Sequence, residues 1–216
     1  MGAVPTRVYL EAGSKKVFAC ALDWPGWCRA GKTEEAALEA LAAYADRYRP
    51  VAERAGVRFP RSAGDDLEVV ERLTGDATTD FGAPSQVATD DEEPLTAAQA
   101  RRLAALVEAS WAVLDDVVAG APASLRKGPR GGGRDRDKIV EHVEGAQESY
   151  ARMIGLGKGE RDRAGIAAAL RAARKPRPEA EGKGKRWPYR YAARRIAWHV
   201  LDHAWEIEDR SDPAPG

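Results

Sequence analysis

The sequence is poor in the residues that build metal or disulfide frameworks. Its 216 residues include two cysteines, three histidines and two methionines. Cys20 and Cys28 lack the C-x-x-C spacing, which excludes a cysteine zinc site and a disulfide scaffold. Both read as small buried hydrophobes, able to face each other across the turn Asp23-Trp24-Pro25-Gly26. No apolar run approaches the roughly 18 residues of a membrane helix. The N-terminal stretch MGAVPTRVYLEAGSKK has no basic-then-apolar signal pattern, so the expected location is the cytoplasm, without membrane contact. No excess of one charge steers the whole chain, since 34 Lys+Arg balance 34 Asp+Glu. The balance hides an asymmetry. Residues 1–94 carry 11 Lys+Arg against 17 Asp+Glu, and the remainder 23 against 17, so the two parts are predicted to attract each other or the basic part to meet an anion.

What is present is an ordinary globular composition, 44% apolar and 31% charged. Thr6–Ala12 and Lys16–Leu22 read as a hairpin around Gly13-Ser14, and Trp27–Ala30 as a third strand. Thr33 is placed to cap a helix running from Glu34 to about Ala55, with Gly56 as its stop. The stretch FACALDWPGWCRAGKTEEAALEAL, a strand, an acidic-x-Pro-Gly turn, a short strand and a capped alanine-rich helix, resembles HicB-like antitoxin domains over residues 5–56. The resemblance implies that fold; no separate DNA-binding segment accompanies it.

Residues 61–94 hold Gly64, Gly75, Gly82, Pro84, Pro94 and the acidic run Asp90–Glu93, and read as a packed linker. One more strand or helical turn is predicted at Leu67–Leu73. From Leu95 the apolar period becomes helical. Thr96 with Gln99 makes a capping box, and helices are predicted to about Val117, over Asp135–Ile154, over Arg161–Arg174, and from Pro188 to about Arg210. The predicted class is α+β: a small sheet-and-helix domain over 1–60, the linker, and a four-helix bundle over 95–216.

All three histidines fall in the predicted bundle. With Ile196 at zero and about 100° per residue, His199 lies near 300° and His203 near 340°, one turn apart on the inward side. His142 lies on the core side of its helix, and Gly145 and Ala146 leave room in front of it. Three imidazoles converging from two helices suit a divalent ion such as zinc or nickel, with a fourth position open. Hydrogen-bonded core histidines would show the same pattern. Glu206, near 280°, is a candidate to orient His203 or to act as base, and Tyr150 to line the pocket. No H-E-x-x-H is present. The pieces DKIVEHVEGAQESY and RRIAWHVLDHAWEIEDR resemble those of DinB-like metalloenzymes over residues 95–210. That resemblance implies His142, His199 and His203 as ligands. It also implies a small-molecule substrate and reactions such as S-transfer from a low-molecular-weight thiol, or small-molecule hydrolysis. The appended N-terminal domain departs from the family pattern.

Two basic stretches, 126–138 with six Lys+Arg and 171–195 with ten, match no nucleic-acid motif, which argues against a nucleic-acid partner. Gly131–Gly133 form a candidate anion cradle. The alternative function is a non-catalytic regulatory module that recognises a protein or RNA partner through the HicB-like domain and these basic loops. Trp187, Tyr191, Trp198, Leu201 and Trp205 are predicted opposite the histidines. There they would dock the N-terminal domain or, through Trp198 and Trp205, a second subunit in a homodimer.

Overall fold

The computed structural model describes residues 4–128, 133–179 and 186–211. Parts of both basic stretches, and Gly131 and Gly132 of the candidate anion cradle, lie outside these. The described chain is α+β. Strands β1 (Thr6–Ala12), β2 (Val17–Ala21), β3 (Cys28–Gly31) and β4 (Leu67–Thr74) form one mixed sheet in the order β3-β2-β1-β4. Seven α-helices accompany it among the described residues: α1 (Glu34–Ala43), α2 (Ala45–Arg54), α3 (Ala77–Phe81), α4 (Ala97–Gly120), α5 (Arg136–Met153), α6 (Arg163–Ala172) and α7 (Tyr189–Ser211). No helix among the described residues is long and apolar enough to cross a membrane.

Local chemistry sets several of these boundaries. The Thr33 hydroxyl accepts from Ala36 N–H at the start of α1, and Thr96 and Gln99 close the capping box of α4, each satisfying donors the helix leaves open. Gly56 takes φ +66° after α2, the left-handed value that ends a helix. The single helix expected over 34–55 is broken at Tyr44 (φ −92°, ψ 2°). Its two halves serve different partners: the Tyr44 ring meets Trp205 at 5.0 Å, while Tyr48 stacks on Trp27 at 5.9 Å. Pro50, inside α2, also removes one helical donor.

β4 pairs in parallel with β1, with a register shift between Val8 and Tyr9. Its segment, expected to link two domains, thus closes one edge of the sheet. One face of the sheet, with Val8, Leu10 and Ala19, packs on α1 and α2. The other carries Tyr9, Phe18 and Cys20, which meet Trp198. Helices α4, α5, α6 and α7 share a second core containing Leu103, Val107, Ile139, Val143, Ile166, Leu170, Ile196 and Val200.

The tryptophans of α7 are covered from within the chain. Trp198 meets Phe18 edge-on at 6.1 Å. Leu201 and Trp205 join the cluster of Trp24, Trp27 and Tyr48, which runs across the expected domain boundary. Trp198 and Trp205 keep only 6% and 2% of their surface exposed, so the homodimer expected through them has no surface left to use. Trp187 is a second correction. It precedes α7 and packs on Tyr150 at 5.2 Å, beside the histidines.

Charge joins the two parts in both senses. Asp91 pairs with Arg194 and Glu92 with Arg177, as the acidic-to-basic asymmetry predicts. Arg29–Asp202, Arg47–Glu208 and Arg54–Asp116 run the other way. The contacts follow local placement and not the net charge of each half.

The β2–β3 turn seats the sheet on α7. Gly26 has φ +94°, and a Cβ there would lie 2.6 Å from a Leu201 methyl and 3.1 Å from Ala197. Gly26→Ala should therefore destabilise by about 1–3 kcal/mol through backbone strain and the clash with α7. Urea unfolding of the two proteins checks this; an unchanged midpoint would mean that the turn does not press on the helix.

Candidate metal centre

The three histidines meet. His199 and His203 sit one turn apart on α7, and His142 faces them from α5. Their ring centroids form a near-equilateral triangle with sides of 5.0, 5.0 and 4.7 Å. One donor atom from each lies within 4.8 Å of the others, and His142 Nε2 is 3.2 Å from His199 Nε2. Two imidazole nitrogens on one tetrahedral zinc ion, each about 2.0–2.1 Å from it, stand about 3.3–3.4 Å apart. The observed separation is close to that value.

The electrostatics suit neutral donors. Burial, followed by the positive fields of His203, Arg195, His142 and Arg134, pushes the His199 pKa down to about 2. Burial also lowers that of His142, with His203 and Arg134 adding to the effect. Both rings stay unprotonated at neutral pH, and an unprotonated nitrogen is what a metal requires.

His203 is oriented from behind. Its Nδ1 lies 2.8 Å from Glu206 Oε2, and the other carboxylate oxygen accepts from Arg210 Nη1 at 2.7 Å. The hydrogen bond from His203 first, then its charge and the Arg210 contacts, hold the Glu206 pKa below the ordinary carboxylate value against partial burial. An ionised carboxylate only accepts, so Nδ1 is the donor of this bond and Nε2 is the ring nitrogen left for the cluster. Glu206, expected either to orient His203 or to act as base, is placed to orient it.

Arg210, expected only as the end of the last helix, also belongs to this network. It is 8% exposed, and its Nε donates to the Arg126 carbonyl at 2.7 Å. The i, i+4 spacing from Glu206 was the available signal. Tyr150 lies beside the cluster, its ring 5.8 Å from His199, and burial raises its pKa. A Cβ at Gly145 would meet nothing within 4 Å. A groove of about 580 Å³ runs along the flank of α7 between Arg29, Tyr44, Lys127, Asp202 and Glu206, and Glu206 is the lining residue that also contacts His203.

Several of the basic residues described in the two charged stretches pair with acids. Arg136 meets Asp137, Lys138 meets Glu141, Arg171 meets Glu108, and Lys175 meets Glu179.

No family model, curated protein or solved structure matches the chain.

Glu206→Gln keeps the size of the side chain and removes its charge. If His203 is a ligand, this change should weaken zinc binding about 10–100-fold, the range for losing a carboxylate behind a metal-bound imidazole. A competition titration with a chromophoric chelator measures it. An unchanged affinity would detach Glu206 from the site.

Proposed function

We propose that the protein is a metal-dependent enzyme acting on a small molecule, with a divalent ion, zinc or nickel, held by His142, His199 and His203. The carrying observation is the meeting of three imidazoles from α5 and α7, two held neutral by their surroundings and the third oriented by an ionised Glu206. The donor set fits such an ion: three nitrogens with no carboxylate among them leave the cation its full charge, and three protein ligands are the number that leaves a position for substrate. Held by His142, His199 and His203, such an ion would supply Lewis acidity, the property that makes water or a thiol more acidic near neutral pH.

The chain's own groups do the rest. Glu206 fixes the ring of His203 and keeps its proton on Nδ1. His203 first, and Arg210 after it, hold Glu206 ionised. Tyr150 and Trp187 wall the α5 side of the cluster and limit water there. In this reading helices α4–α7 form a DinB-like four-helix bundle, the sheet with α1 and α2 an HicB-like unit, and the reaction is S-transfer from a low-molecular-weight thiol or hydrolysis of a small molecule. The HicB-like unit serves to brace α7 through Gly26, Trp198 and Trp205.

A thiol-consumption assay with a set of small electrophiles tests the proposal on the chelator-treated protein with and without added zinc or nickel. Turnover that returns with metal, and does not return in His199→Ala, is the expected result. Absence of metal-dependent turnover with thiols, together with absence of ester or amide hydrolysis, overturns the catalytic reading. The protein would then remain as a regulatory module with a protein or RNA partner.

A further inference from the structure

Cys20 and Cys28 are free and buried, and the proposed chemistry uses neither. They occupy directly opposed positions on the antiparallel strands β2 and β3. The adjacent rung defines the kind of pair they form. Ala21 N–H donates to the Trp27 carbonyl at 3.0 Å, which makes 21/27 a hydrogen-bonded pair. By the alternation of an antiparallel ladder, 20/28 is then a non-hydrogen-bonded pair, with Cα atoms about 4.5 Å apart and side chains at their closest. That separation lies within the range a disulfide spans, about 4.4–6.8 Å.

Both thiols point to the face of the sheet that meets Trp198, and both line a void of about 10 Å³ there. This is room for about one water-sized molecule, too little for a peptide disulfide. Arg194 and Arg195 line the same void, and Arg195 Nη1 is buried without a partner among the described residues. Burial pushes the Cys28 thiol pKa up, and the neighbouring Cys20 adds to the effect, so Cys28 is a slow nucleophile that needs its partner close by.

We propose that Cys20 and Cys28 form a dithiol site that hydrogen peroxide converts to an intramolecular disulfide. One sulfur attacks a peroxide oxygen: an S–O bond forms, the O–O bond breaks, and the departing hydroxide leaves as water with the thiol proton. The second sulfur then attacks the resulting sulfenic acid: the S–S bond forms, the S–O bond breaks, and a second water leaves with the remaining thiol proton. Two thiols are oxidised, and one peroxide is reduced to two waters. The new bond closes a ring around the turn that presses Gly26 on Ala197 and Leu201, fixing the sheet on the helix that carries His199 and His203. The inference stands independently of any bound metal.

The test uses the full chain, reduced, exposed to hydrogen peroxide while folded, then unfolded in the presence of iodoacetamide and digested with trypsin. Both cysteines fall in one peptide, Val17–Arg29. The expected product is that peptide lighter by two hydrogens and unalkylated, converted by dithiothreitol to the doubly alkylated form, from a protein still monomeric on a non-reducing gel. The oxidised protein should unfold about 5–10 °C higher, because the short closed loop restricts the unfolded chain. Two alkylated cysteines after peroxide, oxygen adducts on a single sulfur, or chains linked to each other would each overturn the proposal.

Discussion

If the three histidines hold a divalent ion, treating the protein with a chelator should lower its thermal midpoint by about 5–11 °C. The figure follows from linkage. An ion that binds the folded state alone, present at about 100 times its dissociation constant, stabilises by about 2.7 kcal/mol. For a chain of this size each kcal/mol moves the midpoint by about 2–4 °C. The ligands come from α5 and α7, far apart in sequence, so the unfolded chain offers no comparable site. His199→Ala should unfold at the same temperature with and without the chelator, because its buried, neutral imidazole faces His142 most closely. A scan in which both proteins ignore the chelator would mean that the three rings hold no ion.

Asp91→Ala should cost about 3–5 kcal/mol, an effect as large as the loss of the metal. Asp91 is fully buried and Arg194 is 6% exposed; their side chains form a two-pronged pair, with Nη2 to Oδ2 at 2.6 Å. Asp91 also accepts from Ala88 N–H at 2.8 Å, which fixes the turn that delivers it. Truncating it leaves a guanidinium buried over the Tyr9 ring without the carboxylate that pairs with it, the costly way to break a buried pair. Replacing both partners, as in Asp91→Leu with Arg194→Met, should recover most of the loss, since an apolar pair of similar volume needs no compensation. Urea unfolding of the single and double variants measures this. A single-variant cost under about 1 kcal/mol would show that water reaches the pair.

The features that sequence made legible are those decided within a few residues. The hairpin around Gly13-Ser14, the Thr33 and Thr96 caps, the Gly56 stop and the course of α7 behind Pro188 all rest on turn, cap or periodicity chemistry, and they stand where expected. The histidine cluster was legible for the same reason: helical spacing places His199 and His203 together, and the inward faces of α5 and α7 bring in His142. The rest depended on distant partners. Nothing local says that Leu67–Thr74 pairs in parallel with β1. Nor does it say that Glu11 is fully buried, its carboxylate accepting from the Thr79 hydroxyl at 2.5 Å and from the backbone of Ser85 and Gln86 at 2.9–3.0 Å. In sequence Asp91 is one acid of the run Asp90–Glu93 in the expected packed linker; Arg194, over a hundred residues later, makes it a core residue. The Trp198 and Trp205 face was correctly seen as too apolar for water. Its partner turned out to be the chain's own sheet and not a second subunit.

The most direct measurement is elemental analysis with X-ray absorption on protein purified without chelator and supplied with zinc. It should show one ion per chain with three imidazole nitrogens at about 2.0–2.1 Å, and none in His199→Ala. Protein that takes up no stoichiometric ion, or an ion bound through oxygen ligands alone, would contradict the account and leave the three rings as hydrogen-bonded residues of the core.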